Sequence, residues 1–249
     1  MPSSTVVIVT GASRGIGHAI VAAYLSRPNH TVIGSVRKTD TPRTEDLKNL
    51  PVATGSRLLL VSIESTSTSD PKRAVEDMEA AGIAHIDIVV SNAGISPAPA
   101  PLDLADPEDL IQAFKVNAVA SVLLFQAANR LLSKSEAPKW VSISSRVGSI
   151  GQAASFYQYA SAYGMSKAAQ DWFTATLHHS YESLTAFAVH PGFVSTDMGV
   201  AAAKGAGIDM PATTAKESAA KLLEVIDSAQ REREGAKLID IMTHEEISW

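Results

Sequence analysis

The sequence predicts an α/β protein built on one doubly wound parallel sheet, with helices on both faces. Three observations carry that expectation. Short apolar, β-branched runs alternate with helix-length segments along nearly the whole chain, and these runs are apolar throughout instead of at every second residue. A glycine-rich turn, Thr10 to Gly17, joins the first run to the first helix. Parallel strands need crossover connections, which lay helices on both faces of the sheet, and strands buried on both sides have no solvent-facing positions to fill with polar residues.

Val6-Val7-Ile8-Val9 reads as the first strand, ended by Thr10-Gly11, and from Ile16 to Leu25 the apolar residues return at helical spacing. A second strand is expected over Thr31 to Val36 and, after a polar stretch holding Pro42 and Pro51, a third over Leu58 to Val61. Then come a helix over Pro71 to Ala81, a strand over Ile86 to Val90, a long helix over Pro107 to Leu132, a strand over Trp140 to Ile143 and a helix over Ser161 to His179. A strand ending at Val189, a helix over Thr214 to Ala229 and a strand over Lys237 to Ile241 complete a sheet of about seven strands. No linker, repeat or shift in composition interrupts the series, so residues 1–249 are expected to form a single domain.

Composition narrows the function classes. The chain carries 21 Lys and Arg against 26 Asp and Glu, a net charge of −5, so it has no overall positive field to attract nucleic acid or an anionic membrane. Its 45% hydrophobic and 19% charged residues exclude a disordered chain. The absence of cysteine removes disulfides, thiolate metal sites and a cysteine nucleophile, and suits a reducing compartment. Met1 to Thr10 holds no signal core, and unbroken apolar stretches such as Ala118 to Phe125 fall short of the ~20 residues that span a bilayer. A soluble, cytoplasmic protein is the expectation. None of the seven histidines forms an H-E-x-x-H pattern, so no metal site is expected, and His190 reads as a packed strand-end residue.

In a doubly wound sheet, ligands sit beyond the carboxyl ends of the strands, near the point where strand order reverses. Gly11, Gly15 and Gly17 allow a tight turn and a close backbone approach to a pyrophosphate, facing the positive N-terminal end of the first helix. Ser13 and Arg14 lie inside that loop. The second strand ends Val36-Arg37-Lys38, without the acid that would bind a ribose 2′-hydroxyl; Arg37, aided by Arg14, suits a 2′-phosphate instead. The expected cofactor is therefore NADP(H). Of Tyr157, Tyr159 and Tyr163, only Tyr163 has a lysine four residues on, Lys167, which places the pair on one helix face. A neighbouring ammonium favours the phenolate and makes the hydroxyl a usable acid or base. Ser145, after the strand that ends at Ile143, can donate to a substrate oxygen on which negative charge develops.

Together these residues resemble the short-chain dehydrogenase/reductase superfamily: the T-G-x-x-x-G-x-G loop, the Asn92-Ala93-Gly94 triplet, Asn117, Ser145, the Tyr163 and Lys167 pair, and Pro191 to Thr196. The resemblance runs from Val6 to Ile241. Within the superfamily, the segments Ala162 to Ala169, His190 to Met198 and Thr243 to Trp249 look similar to fungal ketoreductases of the norsolorinic acid ketoreductase type. The wider tyrosine-to-lysine spacing of enoyl reductases has no match, since Gly164, Ser166 and Gln170 stand seven residues after the three tyrosines.

The resemblance implies a Rossmann fold and a catalytic tetrad. Tyr163 would give a proton to a ketone or aldehyde oxygen as hydride arrives, Ser145 would hold that oxygen, Lys167 would lower the tyrosine pKa and bind the nicotinamide ribose, and Asn117 would fix a water. Gly11, Arg14, Ile16 and Asn92 would contact the cofactor, beside Ala93 and Gly94. Pro191 and Gly192 would form a turn after which Val194 and Thr196 receive the nicotinamide amide. Ser62 stands where the family usually has an adenine-contacting Asp. Phe156, Tyr157, Phe193, Met198 and Trp249 are candidate walls for a small carbonyl or alcohol substrate. A homodimer or homotetramer is implied through the two long helices, which carry Ala118, Leu123, Leu124, Ala127 and Ala128. The activity expected is that of an NADPH-dependent carbonyl reductase. Its reverse, alcohol oxidation, and a non-catalytic dinucleotide sensor on the same fold are the alternatives.

Overall fold

The computed structural model describes residues 4–156 and 160–249. In chain order the elements are β1 (Thr5–Val9), α1 (Gly15–Leu25), β2 (His30–Val36), α2 (Pro42–Lys48), β3 (Arg57–Ser62), α3 (Asp70–Ala80), β4 (Ile88–Ser91) and α4 (Pro107–Ala113). A π turn (Phe114–Val119) leads into α5 (Ala120–Leu132), followed by β5 (Lys139–Ile143), α6 (Ala153–Phe156), α7 (Ser161–Ser180), β6 (Thr185–His190) and α8 (Asp197–Ala206). Then come α9 (Ala215–Ser228), α10 (Arg231–Glu234), β7 (Leu238–Asp240) and β8 (Glu246–Ile247). Among the described residues the strands form one sheet in the order β3-β2-β1-β4-β5-β6-β7-β8, parallel except for the antiparallel pairing of β8 on β7. Strand order reverses between β1 and β4, which opens a crevice at their carboxyl ends.

Alternate residues of each strand supply two cores. Val7 and Val9 of β1 pack with Ile20 and Leu25 of α1 and with Leu222 and Ile226 of α9. Val6 and Ile8 face the other way, toward Met78 of α3, Leu124 and Leu131 of α5, and Leu177 of α7. Trp140, fully buried in this second layer, meets Phe125 and Phe173 edge-on and donates through Nε1 to the Ser142 hydroxyl at 3.0 Å.

Several elements differ from the sequence expectation, among them the short helices α6 and α10. The polar stretch after β2 holds α2, started by Pro42 and by a reciprocal cap between Thr41 and Thr44. Thr196 caps α8 by accepting from the Gly199 amide at 3.1 Å, so a helix lies in the segment left as connection. An eighth strand, β8, closes the far edge. The long helix also departs from regularity, because the π turn interrupts it between α4 and α5. The helical run Pro107–Leu132 is 26 residues long and holds an 18-residue stretch with a mean hydropathy of 1.5, enough by length and composition to cross a bilayer. Yet it carries Asn117 and Ser121 into the buried polar interior.

Candidate functional site

The crevice at the strand ends is a cleft of about 1260 Å³ running from the glycine loop to the start of α7. At one end, β1 passes into α1 through Gly11 at φ +66° and Gly15 at φ +57°, a left-handed backbone that favours glycine. A Cβ on Gly17 would collide with the Gly11 carbonyl and with the Asn92 side chain, so the helix start, the loop and the end of β4 share one tight contact. Thr10 locks the same junction: its hydroxyl accepts from the Asn92 and Ala93 amides at 2.9 Å each, while the Asn92 side chain donates to the Thr10 carbonyl at 2.7 Å. The Asn92-Ala93-Gly94 triplet therefore ties the two strands that flank the crevice.

Gly11, Ser13, Arg14, Gly15, Ile16, Arg37, Asn92, Ala93, Gly94, Ser145, Tyr163, Lys167, Pro191, Gly192, Val194 and Thr196 all line this one cleft. Three expected site residues do not line it. Gly17 serves the close approach just described. The Ser62 hydroxyl turns back to donate to the Arg37 carbonyl at 3.1 Å, and Ile63 and Glu64 take the cleft wall beside it. Asn117 is fully buried: its side chain accepts from the Ile95 amide at 2.8 Å and donates to the Ile95 carbonyl and the Ser166 hydroxyl, each at 2.9 Å. The π turn places Asn117 at the strut between the loop after β4 and helix α7.

Arg14 and Arg37 both line the glycine-loop end of the cleft. Arg14 pairs with Asp197 of α8 at 3.1 Å, and Arg43 of α2 approaches the same carboxylate at 3.7 Å. Arg37 is exposed on the cleft wall. Arg43 and Asp197 lie far from Arg14 in the chain and carry no motif that would have singled them out.

At the other end, the turn Arg146–Gly148 after β5 rests on α7, with Ser145 accepting from the Val147 amide at 3.2 Å. Ser145 also stands close enough to the Tyr163 hydroxyl to favour its ionised form, but the surrounding protein outweighs this and pushes the phenol up to about 12. Tyr163 is thus held neutral, contrary to the lowered pKa expected from Lys167. The Lys167 ammonium lies 5.7 Å from the Tyr163 ring centroid and is sealed from solvent. It donates to the Ile143 carbonyl at 2.7 Å and to Gln170 Oε1 at 2.8 Å, and burial brings it down to about 8. Gln170 in turn donates to the Ser121 hydroxyl at 3.3 Å, which meets Ser91 at 2.9 Å. Gln170 was not singled out from the sequence, although its place three residues after Lys167 puts it on the same helix face.

Phe156, Phe193 and Met198 line the cleft as expected. Trp249 does not; its carbonyl accepts from the Gly151 amide at 2.8 Å, outside the cleft. Tyr157 lies outside the described residues. Of the interface candidates, Ala118, Leu124 and Ala128 are buried in the protein's own core, and the exposed apolar side chains of these helices are Ile111, Val119, Met165 and Trp172.

This arrangement of crevice, glycine loop and paired Tyr163 and Lys167 has relatives. The profile of the short chain dehydrogenase family matches residues 5–207. The chain is 44% identical over 250 residues to short-chain dehydrogenase srdF of Neurospora crassa, covering 99% of this chain and 98% of that protein. It is 36% identical over 254 residues to norsolorinic acid ketoreductase of Aspergillus parasiticus, covering 100% and 92%. The crystal structure of NADPH-bound carbonyl reductase from chicken fatty liver superposes with a TM-score of 0.86 at 27% identity, covering 99% of this chain and all of that one. The protein belongs to the short-chain dehydrogenase/reductase family of oxidoreductases.

Proposed function

We propose that this protein is an NADPH-dependent carbonyl reductase, a single-domain enzyme that reduces a ketone or aldehyde with Tyr163 as proton donor. The observation that carries the reading is the convergence of Ser145, Tyr163 and Lys167 on the same cleft as the glycine loop. The residues fit a dinucleotide: the loop's backbone amides and the N-terminal end of α1 favour an anion, and the acid-free end of β2 leaves Arg37 for a 2′-phosphate. The NADPH of the chicken carbonyl reductase points the same way. Pro191, Gly192, Val194 and Thr196, which line the cleft, would hold the nicotinamide end, and Thr10 and Asn92 keep the loop in shape.

When bound, the nicotinamide supplies the hydride. Ser145 donates a hydrogen bond to the carbonyl oxygen, where charge develops. A phenol held up at about 12 is fully protonated near neutral pH, so Tyr163 is ready to donate to that oxygen, which becomes a stronger base than phenolate as it turns into an alkoxide. Lys167 then stabilises the phenolate left behind. Its charge sits one helical turn away, fixed by Ile143 and Gln170. Asn117 keeps the loop after β4 and α7 in register. The same residues run the reverse oxidation of an alcohol, by microscopic reversibility.

At the substrate end the cleft is lined by Ile95, Pro97, Pro99, Phe156, Phe193 and Met198. Its cations are Arg14, Arg37 and Arg43 beside the glycine loop, Arg146, which is paired to Asp240 at 2.6 Å, and Lys167, held by Ile143 and Gln170. That lining suits an uncharged carbonyl compound with an apolar body, in keeping with the ketoreductase name of the Aspergillus relative. A second copy of the chain covering Ile111, Val119, Met165 and Trp172 would make a homodimer, or a homotetramer through a further face. A cytoplasmic location agrees with the cysteine-free sequence.

The test is NADPH oxidation against a panel of bulky aromatic ketones, small keto esters and aldehydes, with NADH as control. Tyr163→Phe should keep NADPH binding and lose nearly all turnover. Full activity in that variant would remove Tyr163 from the reaction, and NADPH binding without turnover of any carbonyl or alcohol would favour a sensor.

A further inference from the structure

Asp171 lies one helical turn beyond Lys167, as Lys167 lies one turn beyond Tyr163, so the three side chains form a ladder on one face of α7. The carboxylate is 3% exposed. Ser144, the residue before Ser145, brings its hydroxyl close enough to favour the charged carboxylate. Even so, among the described residues neither oxygen of Asp171 and not the Ser144 hydroxyl completes a hydrogen bond of good geometry. Burying a carboxylate in this state is costly unless a charge offsets it.

The groups around it identify that charge. On α7, Tyr163 and Lys167 face it, and both respond to its charge. At the end of β5 stand the hydroxyls of Ser144 and Ser145, while Arg146 turns away to Asp240. From β6, His190 responds to Asp240 and Arg146 instead. The π turn contributes the neutral Asn117, with Lys115 exposed. Lys167 is therefore the cation that Asp171 answers to.

We propose that Asp171 is a positioning residue: one helical turn beyond Lys167 on the buried face of α7, it supplies the countercharge that keeps Lys167 an ammonium. Its activity readout rests on the carbonyl-reductase reading; its physical readout does not. Burial raises the carboxyl and lowers the ammonium, while the charge of each favours the charged form of the other. The charge of Asp171 raises the pKa of both Lys167 and Tyr163, and so extends the working range toward alkali.

The experiment compares wild type, Asp171→Asn and Asp171→Glu. In kcat/KM for NADPH-driven ketone reduction, the alkaline limb of Asp171→Asn should move to lower pH by about one unit, a tenfold change in proton concentration, and Glu should restore it. In the ligand-free protein the wild type should lose thermal stability as pH rises from 3.8 to about 7, because the unfolded chain releases this proton there and the folded chain keeps it. Asp171→Asn should lack that loss. An unchanged limb together with an unchanged stability slope would overturn the proposal. If the Asn variant does not fold, a ¹³C titration of the wild-type carboxyl carbons decides: one aspartate titrating near neutrality supports the proposal, and all of them in the ordinary range refute it. A wild type that reduces no carbonyl would sink the reductase reading while the stability and carbon titrations still judge Asp171.

Discussion

Replacing Gly148 with alanine tests whether the turn after β5 sets the spacing between Ser145 and the helix that carries Tyr163 and Lys167. A Cβ on Gly148 would stand 2.7 Å from the Lys167 Cβ and 3.0 Å from both the Lys167 carbonyl carbon and the Ala168 nitrogen. Carbon atoms in contact settle at about 3.5–4.0 Å, so turn and helix must part by roughly 1 Å. The obstructing atoms belong to the helix itself, with no flexible side-chain end to swing aside. Overpacking of this kind costs about 1–3 kcal/mol, and a displacement of about 1 Å between reacting groups lowers rate by about a hundredfold. The assay is steady-state ketone reduction beside thermal unfolding, with NADPH affinity measured separately. We expect kcat/KM to fall about a hundredfold, Tm to fall by several degrees, and NADPH affinity to stay within a few-fold, because the glycine loop is at the far end of the cleft. Gly82→Ala is the internal contrast. Gly82 ends α3 at φ +83° with nothing within 4 Å of a new Cβ, so it suffers backbone strain of about 1–2 kcal/mol remote from the cleft and should lower Tm without touching kcat. Full activity in Gly148→Ala, or equal activity loss in both variants for the same loss of Tm, would refute the reasoning.

Arg37→Asp should weaken NADPH by roughly 10- to 100-fold, the worth of a charge-assisted hydrogen bond, while leaving NADH nearly unchanged; titration calorimetry with both cofactors checks this. His190 has an Nδ1 sealed from water without a partner among the described residues, and burial holds its imidazole well below the ordinary 6.5. As pH falls through that value the unfolded chain gains a proton that the folded chain refuses, so stability drops on acidification. His190→Asn should show a shallower fall of Tm over that window. Trp172 is 73% exposed on α7, and Trp172→Glu should convert an oligomer to a smaller species in sedimentation without unfolding it.

Much of the site was legible because its chemistry is local in the chain. The glycine loop sits within eight residues and its helix begins inside it; Tyr163 and Lys167 are spaced by a single helical turn. Ser145 follows its strand directly. The ion pair of Arg14 with Asp197 was not legible, because that partner is 183 residues away and no local pattern announces it. Ser62 was chosen by resemblance to the family's Asp at the end of the third strand, and its hydroxyl donates to the Arg37 carbonyl just past the end of β2. Gln170 and Asp171 could have been found by following the helix face one turn past Lys167.

The sequence by itself determined the doubly wound sheet, since buried parallel strands demand apolar runs and crossovers demand helices between them. It also determined the position of the glycine loop and the tyrosine-lysine pair, whose geometry follows from backbone periodicity alone. Tertiary structure decided what those groups meet. It set Asn117 within a π turn, joined Ile143 and Gln170 around Lys167, and raised the Tyr163 pKa through the protein packed about it. It also added β8 at the sheet edge and turned Ala118, Leu124 and Ala128 inward. The physical reason is common to all of these. Burial, close packing and the pairing of charges depend on residues brought together from distant parts of the chain, and a linear pattern carries no record of which distant neighbour arrives.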